Sequence, residues 1–181
     1  TLILTLFPYT TLFRSVWVAR FGFLIYPLYG IVSWFVASRK ERIRKREALV
    51  EAIFSVLAAS SVSFLIRRIW CRPRPFTRGK TARITHGDNA SFPSNHTLNA
   101  VAAAFSLILS RQSGGNRLLG WALLQGLSRV FAGVHYMSDI IGSAVLAACC
   151  AAWVHSSQRL RKLSRQLAYI CTEAEDILRQ K

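Results

Sequence analysis

An all-α, polytopic transmembrane helix bundle is the fold this sequence predicts, and three observations predict it. Apolar runs recur along the chain at lengths suited to helices, hydrophobic residues fill 52% of the 181 positions, and the charges gather in blocks between those runs. In a water-soluble fold, a formal net charge of +16 would point to nucleic acid, whose phosphates bind lysine and arginine with counterion release. Here the charges do not make one face of a polar fold, and no base-stacking aromatic pattern accompanies them. The expected partner is therefore the bilayer, not nucleic acid.

Taken in order, Thr5–Ser15 reads TLFPYTTLFRS, which looks like the translation of a sequencing-adapter oligonucleotide. Residues 1–15 are accordingly expected to be non-native and are set aside from the fold. Val16–Ala37 carries only Arg20 as a charge and is long enough to span the hydrocarbon core. A dense basic block, Arg39–Glu47, separates it from a second span, Ala48–Ile66, in which Glu51 is near enough to the end to reach the interface. The stretch Arg67–His96 is polar, with prolines at 73, 75 and 93, and cannot be a lipid-facing helix. Three more apolar segments follow: Thr97–Ser110, Leu118–Val134 and Ile140–Val154. That gives about five spans over residues 16–156, with a sixth expected upstream in the intact protein. Small residues such as Ala100, Ala102, Ala104, Gly142 and Ala147 fit close helix packing in lipid.

Residues 157–181 have apolar positions at 160, 163, 167, 170, 174 and 177, a helical period. They are expected to form a solvated amphipathic tail helix, with a membrane-surface contact or a homodimer contact as the alternative. If the spans alternate, the basic blocks 39–47, 111–117 and 159–165 share one side, which the positive-inside rule makes cytoplasmic. The 67–96 loop then faces outward, yet it is itself basic; binding an anion would account for that. The four cysteines show no CxxC or Cys/His ligand spacing, so neither a zinc site nor a disulfide framework is expected.

Three short stretches carry chemistry. In Arg67–Pro75, prolines after Arg72 and Arg74 hold the backbone extended and present guanidinium groups that keep their charge and grip phosphate oxygens in a fork. Alone, such a cluster is more often a headgroup contact. Pro93–His96 (PSNH) opens a helix, whose unpaired N–H groups favour an anion; Ser94 adds a hydroxyl and His96 a proton donor. In Ser128–Asp139, Asp139 falls on the same face as His135 if the turn is helical, and would fix one ring nitrogen while leaving the other nucleophilic. Arg129, near the end of an apolar helix, calls for a partner.

In this order and spacing, R-x6-RP, PSNH and SR-x5-H-x3-D resemble the three-part signature of the type 2 phosphatidic acid phosphatase superfamily. The strings RPRPF, HGDNASFPSNHT and SRVFAGVHYMSD are most similar to bacterial undecaprenyl-diphosphate phosphatases of the bacitracin-resistance type. The likeness covers about residues 48–154. It implies that His135 attacks phosphorus, Asp139 orients it, and His96 protonates the leaving group and then helps activate water. Arg67, Arg74, Ser94, Asn95 and Arg129 would hold the phosphoryl oxygens. It also implies a polyprenyl diphosphate substrate, a bacterial cytoplasmic membrane as the location with the active site on its extracytoplasmic side, no cofactor and no catalytic metal. Arg67 stands where the family commonly has lysine, and Asn95 where it has glycine. Other lipid phosphates (phosphatidylglycerol phosphate, phosphatidate, lipid A) are the alternative substrates, and a non-catalytic lipid-binding protein the alternative class.

Overall fold

The computed structural model describes residues 15–38, 41–79, 81–87 and 89–179. The segment set aside as non-native lies, apart from Ser15, outside the described residues. All regular structure among the described residues is helical: α1 (Ser15–Phe35), α2 (Arg42–Ile69), α3 (Asn95–Leu109), α4 (Gly115–Phe131), α5 (Met137–Ser156) and α6 (Gln158–Arg179). Each of the five apolar segments becomes one helix, and the tail becomes the sixth. By length and apolarity α1, α2 and α5 can cross a membrane.

The third apolar segment is shorter than the sequence predicts for a full span. At 15 residues, α3 covers only about 22 Å, against roughly 30 Å of hydrocarbon. Its position explains the shortfall: it is the central helix, packed against α2, α4 and α5, and the Pro93–Ser94 backbone leading into it is buried. Irregular backbone is tolerated at membrane depth where protein covers it. The helix contacts rest on small side chains, with Ala59, Ala100, Ala102, Ala122 and Ala147 all buried around Leu98. At Gly126 of α4 a Cβ would stand 2.7 Å from Ile140 and 3.1 Å from Thr97, so glycine there lets α4 approach both neighbours. Large apolar residues instead face outward, among them Ile53, Leu57, Phe64, Ile141, Val145 and Trp153. In lipid, that is where they belong.

A buried polar knot closes one end of the bundle. Glu51 of α2 accepts from Ser110 Oγ at the end of α3 (3.1 Å) and lies 2.6 Å from His155 Nδ1 near the end of α5. Arg46 pairs with Glu175 of α6, donates to Thr172 (3.0 Å) and stacks on Trp34. These contacts bring the three basic blocks to the same end. The two histidines of the sequence motifs are at the other.

In α1 the helix tightens into a 3₁₀ turn at Gly22–Leu24. Pro27, one turn later, has no N–H to offer the Phe23 carbonyl, which accounts for the break. The turn is pinned to α4: Trp121 Nε1 donates to the Gly22 carbonyl (2.8 Å) and Arg129 Nη1 to that of Ala19 (3.0 Å).

Candidate active site

Four separate chain segments meet at the other end: the end of α2 with the arm after it, the entry to α3, the end of α4, and the start of α5. His135 sits in the turn between α4 and α5, 2% exposed. That turn depends on Gly133, whose φ of +76° suits glycine and where a Cβ would stand 2.4 Å from the Thr81 carbonyl oxygen.

The sequence reading places Asp139 beside His135 through a helical turn; the structure does it another way. His135 precedes the helix, Tyr136 is the N-cap with an extended backbone (ψ 157°), and Asp139 is the third helical residue. In the resulting capping box, Asp139 Oδ2 accepts from the Tyr136 N–H at 2.9 Å. The same oxygen stands 3.6 Å from His135 Nδ1, about half an ångström beyond hydrogen-bonding length. Asp139, fully buried, is further held by Ser91 Oγ (2.5 Å) and Arg72 Nη1 (2.5 Å).

On the other edge of the imidazole, Arg74 Nη1 is 3.3 Å from Nε2. Arg74 is itself locked, donating to the carbonyls of Val134 (2.8 Å), Asn89 (2.8 Å) and Ala90 (3.2 Å) and to Asn89 Oδ1 (2.6 Å). Burial pushes His135 down to about pKa 4; Asp139 opposes this, and the Arg74 and Arg129 charges reinforce it. The ring is therefore neutral at physiological pH, with Nδ1 beside a carboxylate and Nε2 beside a guanidinium. In a neutral imidazole, that polarity favours a proton on Nδ1 and a lone pair on Nε2.

The other predicted residues gather around the same end. Arg67 Nη2 donates to the Pro93 carbonyl (2.8 Å), while its buried Nε has no hydrogen-bond partner among the described residues. Arg129, 3% exposed, donates through Nη1, and its buried Nε and Nη2 have no partner among the described residues. Buried donors left unpaired are costly. Two arginines in that state beside a histidine make a site tuned for an anion rich in oxygen acceptors. Ser94 caps α3; its N–H donates to Ser143 Oγ (2.8 Å) and its hydroxyl accepts from Thr97 (3.2 Å). Asn95 turns its side-chain oxygen to α2, accepting from Ser63 (2.7 Å). Half-buried His96 lies edge-on to Phe23, ring centroids 5.7 Å apart.

His96 and Asn95 line a cavity of about 300 Å³ together with Phe23, Tyr26 and Val56. An apolar groove of about 480 Å³ between α1, α2 and α3 shares Tyr26, Pro27, Val56 and Ala103 with it. Among the described residues, no cluster of His, Cys, Asp or Glu has the arrangement to hold a metal ion.

Sequence reasoning missed Arg72, Ser91 and Ser143 as members of the site. The repeated Arg-Pro pair hinted at Arg72, but nothing in the sequence distinguishes these two serines from the many others. His86 places its ring 6.2 Å from that of His135, edge to face.

Against known families, residues 48–162 match the model of the PAP2 superfamily. The chain belongs to the PAP2 superfamily. Undecaprenyl-diphosphatase BcrC of Bacillus subtilis is 29% identical over 133 residues, covering 73% of this chain and 67% of that protein. Decaprenylphosphoryl-5-phosphoribose phosphatase of Mycobacterium tuberculosis is 33% identical over 123 residues, 66% of this chain and 68% of that one. Among solved structures, LpxE of Aquifex aeolicus superposes with a TM-score of 0.62 at 21% identity, over 82% of this chain and 85% of its own, a likeness of fold. A transmembrane PAP2-type phosphatidylglycerolphosphate phosphatase of Bacillus subtilis gives 0.52 at 25% identity, over 80% and 73%. PAP2 membership and the helical bundle together make this chain a multi-pass membrane phosphatase.

Proposed function

We propose that this PAP2 phosphatase removes the terminal phosphate of a polyprenyl diphosphate, undecaprenyl diphosphate being the expected carrier, through a phosphohistidine at His135. The observation that carries the reading is His135 itself: buried and neutral, flanked by Asp139 at Nδ1 and Arg74 at Nε2. The Nε2 lone pair attacks the terminal phosphorus, and the bond from phosphorus to the bridging oxygen breaks. Polyprenyl phosphate departs and takes a proton from His96. His96 must enter the step as imidazolium, held so by the anionic substrate against the burial and the Arg129 charge that lower its pKa. Water then attacks the phosphohistidine, gives a proton to His96 and releases inorganic phosphate.

Arg67, Arg129 and the N–H groups at the start of α3 hold the equatorial oxygens, where charge develops, and Arg74, whose donors are already engaged, adds its positive charge from beside Nε2. One such donor is worth about 3 kcal/mol. Arginines, and not a cation, are assigned that neutralisation. His96 lines a cavity that shares four residues with an apolar groove, and such a pair would let a headgroup reach the site while its hydrocarbon stays in an oily setting. With the basic blocks at the opposite end, the positive-inside bias puts the site on the extracytoplasmic side, where hydrolysis would recycle the lipid carrier of cell-wall synthesis.

A second reading, a polyprenyl-linked monoester as substrate, is favoured by the mycobacterial relative, named for a decaprenylphosphoryl-phosphoribose. The test is phosphate release from undecaprenyl diphosphate, phosphatidylglycerol phosphate, phosphatidate and a polyprenylphosphoryl-phosphoribose under identical detergent conditions. A kcat/KM highest for the diphosphate supports the first reading. Preference for any monoester rejects it.

A further inference from the structure

α6 packs with the wrong face for a helix that belongs in water. The side chains it buries are small or polar: Ser164, Ala168 and Thr172, the last accepting from Arg46 of α2. Its apolar stripe is left outside. Leu163, Leu167, Ile170, Ile177 and Leu178 are all exposed, Ile170 by 61% and Leu178 by 72%. In an ordinary amphipathic helix the stripe is the packed face. Here the packed face and the stripe are neighbours on the cylinder, so the stripe needs a second apolar phase to rest on.

We propose that α6 is an interfacial helix, lying against the surface of the bilayer that the bundle spans, with this stripe turned into the boundary between headgroups and acyl chains. Three observations select lipid as the occupant. Only Ser157 separates α6 from α5, so the helix begins where a membrane-spanning segment ends. The last turns of α5 carry Trp153, 63% exposed, and tryptophan concentrates at the membrane–water interface. The first half of α6 is basic through Arg159, Arg161, Lys162 and Arg165, matching anionic headgroups, which attract such residues by about 1 kcal/mol each. Parallel pairing of two copies along this stripe would set the basic halves beside one another. Antiparallel pairing, which would set each beside the acidic Glu173–Asp176 end of the other copy, is the outcome that discs with two copies test. Helices with one apolar face and a lysine- and arginine-rich remainder adopt this in-plane position.

The full chain in nanodiscs, one copy per disc, tests this. Its four cysteines are replaced by alanine, and a single cysteine carrying a polarity-sensitive fluorophore is placed at Leu163 or Ile170 on the stripe, or at Lys162 or Glu173 away from it. At about 100° of rotation per residue Lys162 lies about 110° and Glu173 about 90° from the stripe's centre. Brominated lipids should quench the probes at 163 and 170 several-fold more than those at 162 and 173, and phosphatidylglycerol in the disc should deepen that quenching. Uniform quenching at all four, or none at 163 and 170, overturns the proposal. So does protection of 163 and 170 that appears only with two copies per disc, which would assign the stripe to a second chain. The unaltered chain gives an independent reading: amide exchange over Gln158–Arg179 should be slower in phosphatidylglycerol discs than in uncharged ones, and equal exchange contradicts it.

Discussion

At the scale of single residues, the proposed chemistry depends on keeping one imidazole, that of His135, neutral and correctly protonated. An unperturbed histidine titrates near 6.5, while burial holds His135 at about 4. A lowered pKa means that the proton is refused as pH falls, so the nucleophile survives between those values and is lost only toward 4. The acid limb assigned to His135 in the pH profile of single-turnover phosphate release should therefore lie well below 6.5, and a limb at or above 6.5 contradicts that environment. Asp139→Asn removes the group that raises His135, so the limb moves lower still. It also frees the tautomer, and a rate loss on the order of 10³–10⁴ is expected from the analogous loss in a serine-protease triad. The variant also strands Arg72 and Ser91, both of which donate to that carboxylate. His135 and Asp139 were legible because their spacing is fixed. Ser91 and Ser143 were not, because their partners are 48 and 49 residues away in sequence.

At the scale of elements, the site is made of helix ends and the turns that join them. The α4–α5 turn is the tightest of these: Gly133 adopts a left-handed backbone against the Thr81 carbonyl, and the Arg83 N–H donates to Ala132 next to it (2.9 Å). Gly133→Ala should therefore cost about 1–3 kcal/mol of strain, and it should fall on the position of His135. The measurable outcome is a fall in kcat larger than any loss of thermal stability; an unchanged kcat would show that the turn does not set the nucleophile. Apolar period and length revealed where the helices lie. They did not reveal that His135 and Asp139 meet through a capping box, since Tyr136 is an unusual N-cap residue. The 14-residue run Thr97–Ser110 already made α3 short for a full span; its central place in the bundle could not be read from that run.

At the scale of the whole molecule, the two ends have separate duties. The end away from the histidines is held by Glu51, 3% exposed, joining α2 to α3 and α5. Glu51→Ala leaves Ser110 and His155 without that acceptor and should destabilise the bundle by roughly 1–3 kcal/mol. Unfolding in detergent would show the loss, while turnover per folded molecule stays level; a matching loss of kcat would mean that the two ends are coupled. The sequence showed the charge blocks but not this knot, because a glutamate in an apolar run reads as an interfacial residue until its partners on other helices are known. The central claim is that segments from four parts of the chain converge to phosphorylate His135. Rapid quenching into base after mixing with undecaprenyl diphosphate labelled in its terminal phosphate tests it most directly. The account predicts acid-labile label on His135, absent from His135→Ala along with turnover. Label on another residue, or steady phosphate release from His135→Ala, would contradict it.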